Sequence, residues 1–315
     1  MCNNDVVMGI DTSNYTTSVA FVTLAGEVIA NLRRPLPVKP GEVGLRQSDA
    51  VFAHIKNLPD IMNEAREILA ERQPVAVGVS TRPRNIDGSY MPCFLSGVAV
   101  ANSISATVGI PMYEFSHQCG HIMSALYSSG AEDKIGDEFA AFHVSGGTTE
   151  LVKVRKASSG FTAELVGGSN DLNAGQVIDR IGVYMDIPFP AGPGLDKIAS
   201  QYGGDIPKKK ISVSGMNANL SGLENMAKKM FDEQKDPGMV GVFVFDYIGR
   251  TLDAMRSQYE AEYGSSAFLF GGGVMSNSII RRILSKHQSS YFALPALSAD
   301  NAVGIALLTK NTYLN

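Results

Sequence analysis

One pattern occurs twice in this chain and limits its fold more than any other feature. The apolar run Val6-Val7-Met8 leads into Gly9-Ile10-Asp11-Thr12-Ser13 and then into the apolar stretch 17–22. About 135 residues later, Phe139-Ala140-Ala141-Phe142-His143-Val144 leads into Ser145-Gly146-Gly147-Thr148-Thr149 and then into 150–154. Each copy reads as strand, small polar turn, strand, and each is followed by a third strand, near 28–32 and 161–166. The spacing is far longer than that of a solenoid repeat, so the pattern indicates duplication at domain scale. A chain of 315 residues also exceeds the usual single core, and two related lobes are expected. The first would comprise 1–115 plus 298–315, and the second 116–297.

Between the repeats, apolar positions at Val51, Ile55, Leu58, Ile61 and Ile68 recur at helical spacing, Pro74 ends that helix, and 75–79 is a short buried strand. The small apolar residues from Leu95 to Val108 read as a buried helix. This is an α/β chain of ordinary globular composition, 44% hydrophobic and 18% charged, which excludes disordered and fibrous classes. The net charge of −4 gives no global sign of a nucleic-acid binder. Arg33-Arg34 and Lys208-Lys209-Lys210 are short basic runs that read as solvated loops. Three cysteines make no disulfide framework and fit a reducing compartment. With no signal peptide and no membrane-length apolar run visible, a cytoplasmic protein without membrane contact is expected.

Turns of Gly, Ser and Thr leave backbone N–H groups pointing outward and admit phosphate oxygens. Alone, either repeat's turn reads equally well as a plain hairpin. Facing each other, the two suggest a phosphate-holding cleft. A third cluster, Phe270-Gly271-Gly272-Gly273-Val274-Met275-Ser276-Asn277, precedes a helical stretch, 279–284. That order presents helix N-terminal amides to an anion or nucleoside. Asp179, on a helix, and Asp196, at the expected start of another, can accept hydrogen bonds from ribose hydroxyls. Their plain readings are a solvated helix face and a charge favoured by the helix dipole.

His117-Gln118-Cys119-Gly120-His121 is the sharpest local feature. Two of the chain's five histidines stand at i and i+4, on one helix face, where both can reach one metal ion. Cys119, between them, points away from that face. A metalloprotease is disfavoured, because Gln118 stands where a general-base Glu would be needed. Asp300 is the third ligand considered; its alternative role is N-cap of a helix starting near Val303.

Taken together, these motifs resemble the TsaD family, the tRNA threonylcarbamoyladenosine synthases once described as O-sialoglycoprotein endopeptidases. Gly9–Ser13 resembles the opening G-I-E-T-S. His117 and His121 match the H-x-x-x-H pair, and Val144-Ser145-Gly146-Gly147 the V-S-G-G loop. Asp179, Gly192 and Asp196 match the F-D-K and P-G-G-P segments. Gly272, Gly273 and Asn277 match G-G-V-x-x-N, and Asp300-Asn301 the C-terminal D-N.

The resemblance implies an actin-like ATPase fold (sugar kinase/Hsp70/actin), with two related lobes around a nucleotide cleft. It implies transfer of threonylcarbamoyl from its adenylate to N6 of the adenosine beside the tRNA anticodon. One divalent metal, Fe or Zn, would be held by His117, His121 and Asp300. ATP or an adenylate would be held by His143, Val144, Ser145, Gly146, Gly147, Asp179, Gly192, Asp196, Gly272, Gly273 and Asn277. tRNA and an actin-like paralogue are the expected macromolecular partners. The chain departs from the family where an acidic pair follows the opening motif: Tyr15 and Thr16 stand there. Thr148 replaces a His, and Gln176 a Glu. The alternative is therefore a divergent nucleotide-binding paralogue that acts as a scaffold or regulator.

Overall fold

The computed structural model describes residues 4–13, 15–37, 45–157, 160–298 and 301–315. Its contacts gather into two compact units, Met1–Ser128 with Arg155–Ala163 and Ala296–Asn315, and Ser129–Val154 with Glu164–Pro295. The first boundary thus falls after Ser128 rather than at the expected 115/116.

The first unit contains β1 (Asp5–Ser13), β2 (Thr16–Thr23), β3 (Val28–Pro35), α1 (Gln47–Ile68), β4 (Gln73–Arg82), α2 (Phe94–Val108), β5 (Met112–Ser116), α3 (His117–Ser129) and the C-terminal helix (Val303–Leu314). Its sheet has the order β3-β2-β1-β4-β5. β1, β2 and β3 pair antiparallel through short turns, whereas β4 lies parallel to β1 and β5 parallel to β4. The parallel pairs need crossovers, which α1 and α2 supply. Val6, Val7, Met8 and Ile10 of β1 are all buried, as befits a central strand covered on both faces. Ile61 and Ala65 of α1 and Ala101 of α2 share a core with Val6, Met8 and Ile10.

Gly9–Ser13 is not the turn that its composition suggests. These residues continue β1, with Gly9 opposite Ala20 and Ser13 opposite Thr16. Gly9 serves a close approach: a Cβ there would come 2.5 Å from the Ala306 nitrogen and 2.6 Å from the Ala302 carbonyl of the C-terminal helix region. The same helix meets α3 at Gly304 and Gly120, where an added Cβ on Gly304 would overlap the Gly120 carbonyl. That backbone-to-backbone crossing explains why α3 groups with the first unit.

The second unit contains β6 (Glu138–Val144), β7 (Thr149–Ala157), β8 (Gly160–Ser169), α4 (Ala174–Tyr184), α5 (Gly192–Ala199), β9 (Val213–Ser214), β10 (Asn217–Ala218), α6 (Ser221–Gln234), α7 (Pro237–Tyr263), β11 (Phe268–Gly271), α8 (Ser278–Leu284) and β12 (Ser290–Phe292). The outer part of the β7–β8 hairpin, Arg155–Ala163, belongs to the first unit. The sheet order is β12-β11-β6-β7-β8-β10-β9. Within it, β8-β7-β6-β11-β12 reproduces β3-β2-β1-β4-β5, so the duplication read from the sequence is present in the topology. Its core is aromatic: Phe142 stacks on Phe270 at 5.3 Å and Phe270 on Phe292 at 4.8 Å. Each fully buried Phe contributes about 1.5–3 kcal/mol relative to exposure.

Candidate active site

α3 begins where β5 ends. Ser116 Oγ accepts the Cys119 N–H at 3.2 Å, an N-cap bond, so the helix starts at His117. Gln118 N–H donates to the Pro83 carbonyl at 3.0 Å and fixes the entry of the helix. One turn separates the two imidazoles. Their Nε2 atoms lie 2.9 Å apart, with ring planes at 77°. Nδ1 of His117 lies 3.0 Å from Oδ1 of Asp11 in β1. Asp11 is fully buried, and Ser80 Oγ donates to the same carboxylate oxygen. With Nδ1–H directed at Asp11, His117 presents its Nε2 lone pair, the carboxylate–histidine arrangement found behind metal-bound imidazoles.

Two nitrogens each about 2.05 Å from one ion lie about 2.9 Å apart at a right angle and about 3.3 Å apart at the tetrahedral angle. At 2.9 Å the His117–His121 pair meets the right-angle spacing, which is also the spacing of a hydrogen bond between the two rings. Among the described residues no group of three His, Cys, Asp or Glu could hold a metal ion. Asp300 lies outside the described residues. Its neighbour Asn301 is buried and fixed: its Oδ1 accepts from Ser124 Oγ of α3 at 3.2 Å and from Val303 N–H at 3.0 Å. Asn301 thus serves the N–H of Val303, the first residue of the C-terminal helix. Cys119 is buried and its Sγ donates to the Phe161 carbonyl at 3.3 Å; burial pushes its thiol pKa up, against the pull of Ser116, the Phe161 backbone, Arg82 and Asn85.

The remaining expected residues all lie in the second unit and are linked to one another. The Ser145–Thr148 turn is closed by Ser145 N–H to the Thr148 carbonyl at 2.7 Å. Gly146 and Gly147 are exposed, and nothing lies within 4 Å of a Cβ built on Gly147. Asp179 of α4 lies beside this turn, with Oδ2 4.0 Å from a Cβ built on Gly146. Its Oδ1 accepts the Ala191 N–H at 2.8 Å. Burial raises the Asp179 pKa, against the lowering effect of the Ala191 and Gly192 amides. Asp196 sits inside α5, which already starts at Gly192, so it does not open the helix. Burial raises its pKa as well. Asn277 Nδ2 donates to Asp196 Oδ1 at 2.5 Å. Asn277 Oδ1 accepts from the amides of Ile279 and Ile280 at 3.0 Å each. Those first amides of α8 are thus occupied by the cap, and the expectation that they face an anion is corrected. Gly272, at φ +96°, lies against the Val144 carbonyl, where a Cβ would collide with it. His143 is opposite Gly271 in the β6–β11 register, and Gly273 opens a single 3-10 turn. A cavity of about 530 Å³ adjoins Gly147, lined by Thr148, Glu150, Ser169, Asn173 and Asn217 among others.

Three features escape motif reading. Asp11 belongs to the Gly9–Ser13 motif, but nothing in that motif shows that it backs His117. His54 of α1 is fully buried, with Nδ1 2.8 Å from Thr17 Oγ1, which also accepts from Asn57 Nδ2 at 3.1 Å. Burial lowers the His54 pKa, against the raising effects of the Ser13 backbone and the Asp11 charge. Arg82 ends β4 directly opposite Ser116. At the acidic-pair positions, Tyr15 is 45% exposed and Thr16 is buried, so neither supplies a carboxylate.

The model of the TsaD family, described as tRNA N6-adenosine threonylcarbamoyltransferase, matches residues 44–307. A relative of that name from Christiangramia forsetii is 26% identical, over 98% of this chain and 93% of its own. Among solved structures, full-length HypF in its phosphate- and nucleotide-bound form is similar with a TM-score of 0.59 at 10% identity, over 100% of this chain and 57% of its own. A ROK family glucokinase from Streptomyces griseus, in complex with glucose and AMPPNP, gives a TM-score of 0.53 at 13% identity over 98% and 100%. These likenesses establish the actin-like ATPase fold.

Proposed function

We propose, for a chain that belongs to the TsaD family of tRNA N6-adenosine threonylcarbamoyltransferases, that it transfers a threonylcarbamoyl group from an adenylate to N6 of a tRNA adenosine. The adenosine amine forms a bond to the carbamoyl carbon, the bond from that carbon to the phosphate oxygen breaks, AMP leaves, and the amine loses one proton. The observation that carries this reading is the pair of imidazole nitrogens 2.9 Å apart, with Asp11 behind one of them.

His117 and His121 would hold one divalent ion, with Asp300 as third ligand; Asn301, bonded to Ser124 one turn beyond His121, supports that assignment. Such an ion supplies Lewis-acid polarisation of the carbamoyl oxygen. Iron and zinc both suit two imidazoles and a carboxylate. Asp11 orients His117 and, by accepting its Nδ1–H, selects the neutral tautomer whose lone pair is on Nε2. In the second unit, the exposed amides of Gly146 and Gly147 bind the adenylate phosphate. Asp179, Gly192, Asp196 and Asn277 bind its nucleoside. The reaction belongs in the cytoplasm, where tRNA is modified. Among the described residues no helix is long and apolar enough to cross a membrane.

The purified protein, with separately made threonylcarbamoyl-AMP, unmodified tRNA and its partner proteins, should yield the modified nucleoside on digestion and mass spectrometry. AMP binding without any product would overturn the reading. One observation favours a second reading, a nucleotide-binding regulator: Tyr15 and Thr16 provide no carboxylate. The double change Tyr15→Asp with Thr16→Glu separates the two. A regulator gains transfer activity from it, whereas an enzyme that works without the pair does not.

A further inference from the structure

The cavity of about 530 Å³ beside Gly147 is not used by the side chains assigned to the nucleoside: Asp179, Asp196 and Asn277 do not line it. It has the volume of a small-molecule site. Its wall joins the end of the Ser145–Thr148 turn to β7, β8 and β10, all within the second unit. Two asparagines in that wall are each tied at one end. Asn173 Nδ2 donates to the Gly147 carbonyl at 2.9 Å. Asn217 Oδ1 accepts the Gly168 N–H at 3.1 Å. Those bonds fix the two amide orientations, and among the described residues nothing else takes Asn173 Oδ1 or Asn217 Nδ2. The wall therefore supplies one oriented acceptor and one oriented donor. Glu150, half-buried, adds a carboxylate, and Leu165, 53% exposed, adds an aliphatic face beside Val166. None of the described lining residues is Lys, Arg or His.

A cavity with a carboxylate and no cation repels a phosphate or a second carboxylate. Its donor, its two acceptors and its aliphatic face instead fit a flat, neutral heterocycle that carries both an amino group and a ring nitrogen. Adenine is such a base, and a donor to its ring nitrogen with an acceptor to its N6 amino group is the pairing that reads it. We propose that this cavity is the acceptor subsite, which takes the target adenine of the tRNA turned out of its base stack. This rests on the transferase reading above. Asn217 Nδ2 donates to a ring nitrogen, while Asn173 Oδ1 and Glu150 accept from the N6 amino group. The carbamoyl carbon is one oxygen away from the phosphate assigned to Gly146 and Gly147, so an amine held in the adjoining cavity is close to the atom it must attack. A stacked base cannot enter such a cavity, and extrusion is the general solution for enzymes that modify a base.

The test measures binding to the full chain, with AMP and its partner proteins present, of two whole unmodified tRNAs. One carries the target adenine; its twin carries purine there, which lacks only the N6 amino group. The wild type should bind the adenine form about tenfold or more tighter. Glu150→Ala should shrink that preference to about threefold or less by weakening the adenine form alone. Asn217→Asp, which keeps the acceptor for Gly168 but loses the donor, should weaken both twins about tenfold. AMP affinity should be unchanged in both variants. If Glu150→Ala does not fold, Glu150→Gln carries the comparison. Equal binding of the twins by the wild type, or an unchanged preference in the Glu150 variant, overturns the proposal and leaves the transferase reading intact. Weakening of AMP together with both twins also overturns it, since the cavity would then hold the nucleotide's own adenine. Wild type that binds AMP but neither tRNA removes the transferase reading itself, and the inference falls with it.

Discussion

The two sheets share a strand order but treat the same stretch of the repeat in opposite ways. In the first unit, Asp11, Thr12 and Ser13 are all buried. Thr12 Oγ1 donates to the Cys93 carbonyl at 3.1 Å and accepts the Gly97 N–H at 3.2 Å, while Asp11 faces His117. In the second unit, the corresponding Gly146 and Gly147 are exposed. One copy has become a buried polar frame that orients side chains brought by a neighbouring helix. The other presents bare backbone. Duplication therefore supplied one scaffold twice, and burial separates the copy that frames two imidazoles from the copy that exposes its turn backbone.

The largest effect that would sharpen this contrast is on the imidazole side. His117→Ala and His121→Ala should each abolish bound metal in elemental analysis and eliminate transfer. Asp11→Asn, which keeps the shape of the frame but weakens the acceptor facing His117, should lower metal affinity by about 10–100-fold. Metal retained at full stoichiometry in both alanine variants would dissolve the division of labour, because the first unit's buried frame would then orient nothing.

Next in size is the glycine contrast. Gly9→Ala forces a methyl against the backbone of the C-terminal helix region, which cannot yield as a flexible side chain can. We expect a loss of about 3 kcal/mol, at the upper end for overpacking. Gly147→Ala meets open space and should change stability by less than about 0.5 kcal/mol. Any effect of Gly147→Ala should appear in AMP affinity instead. Denaturant titration of the two variants gives the comparison, and similar losses in both would erase it.

These glycines also show what the sequence could and could not reveal. Alternating and continuous apolar runs exposed the strands, and the repeat exposed the shared topology, because both are local or self-referential signals. Gly9 looked like a turn because its true neighbour, Ala306, lies at the other end of the chain. The helical spacing of His117 and His121 was readable, whereas the pairing of His117 with Asp11 required the fold to bring β1 beside α3. Asn277 stood out as a motif residue, yet half of its polar capacity goes to capping α8.

The smallest effects concern pH, and they too divide between the units. In the second unit, burial pushes the Asp171 carboxyl up, but the Ser221 hydroxyl and the amides of Leu220, Leu172 and Ser221 outweigh it and hold the pKa at about 2. Its contribution to stability is present above the ordinary carboxylate pKa of about 3.9 and is lost as pH falls towards about 2. In the first unit, burial lowers the His54 pKa below its ordinary value of 6.5. The unfolded chain then binds a proton more readily than the folded one, so stability falls as pH drops below 6.5. One such group gives a slope of at most about 1.4 kcal/mol per pH unit. Unfolding midpoints measured from pH 8 to 2 should decline in the wild type, and His54→Gln should remove part of the decline between pH 6.5 and 5 while leaving the limb below pH 4 untouched. Asp171→Asn should do the reverse. If His54→Gln keeps the full wild-type slope between pH 6.5 and 5, the charge-averse interior assigned to the first unit is wrong, and the buried polar frame must be tolerating a protonated imidazole beside Thr17.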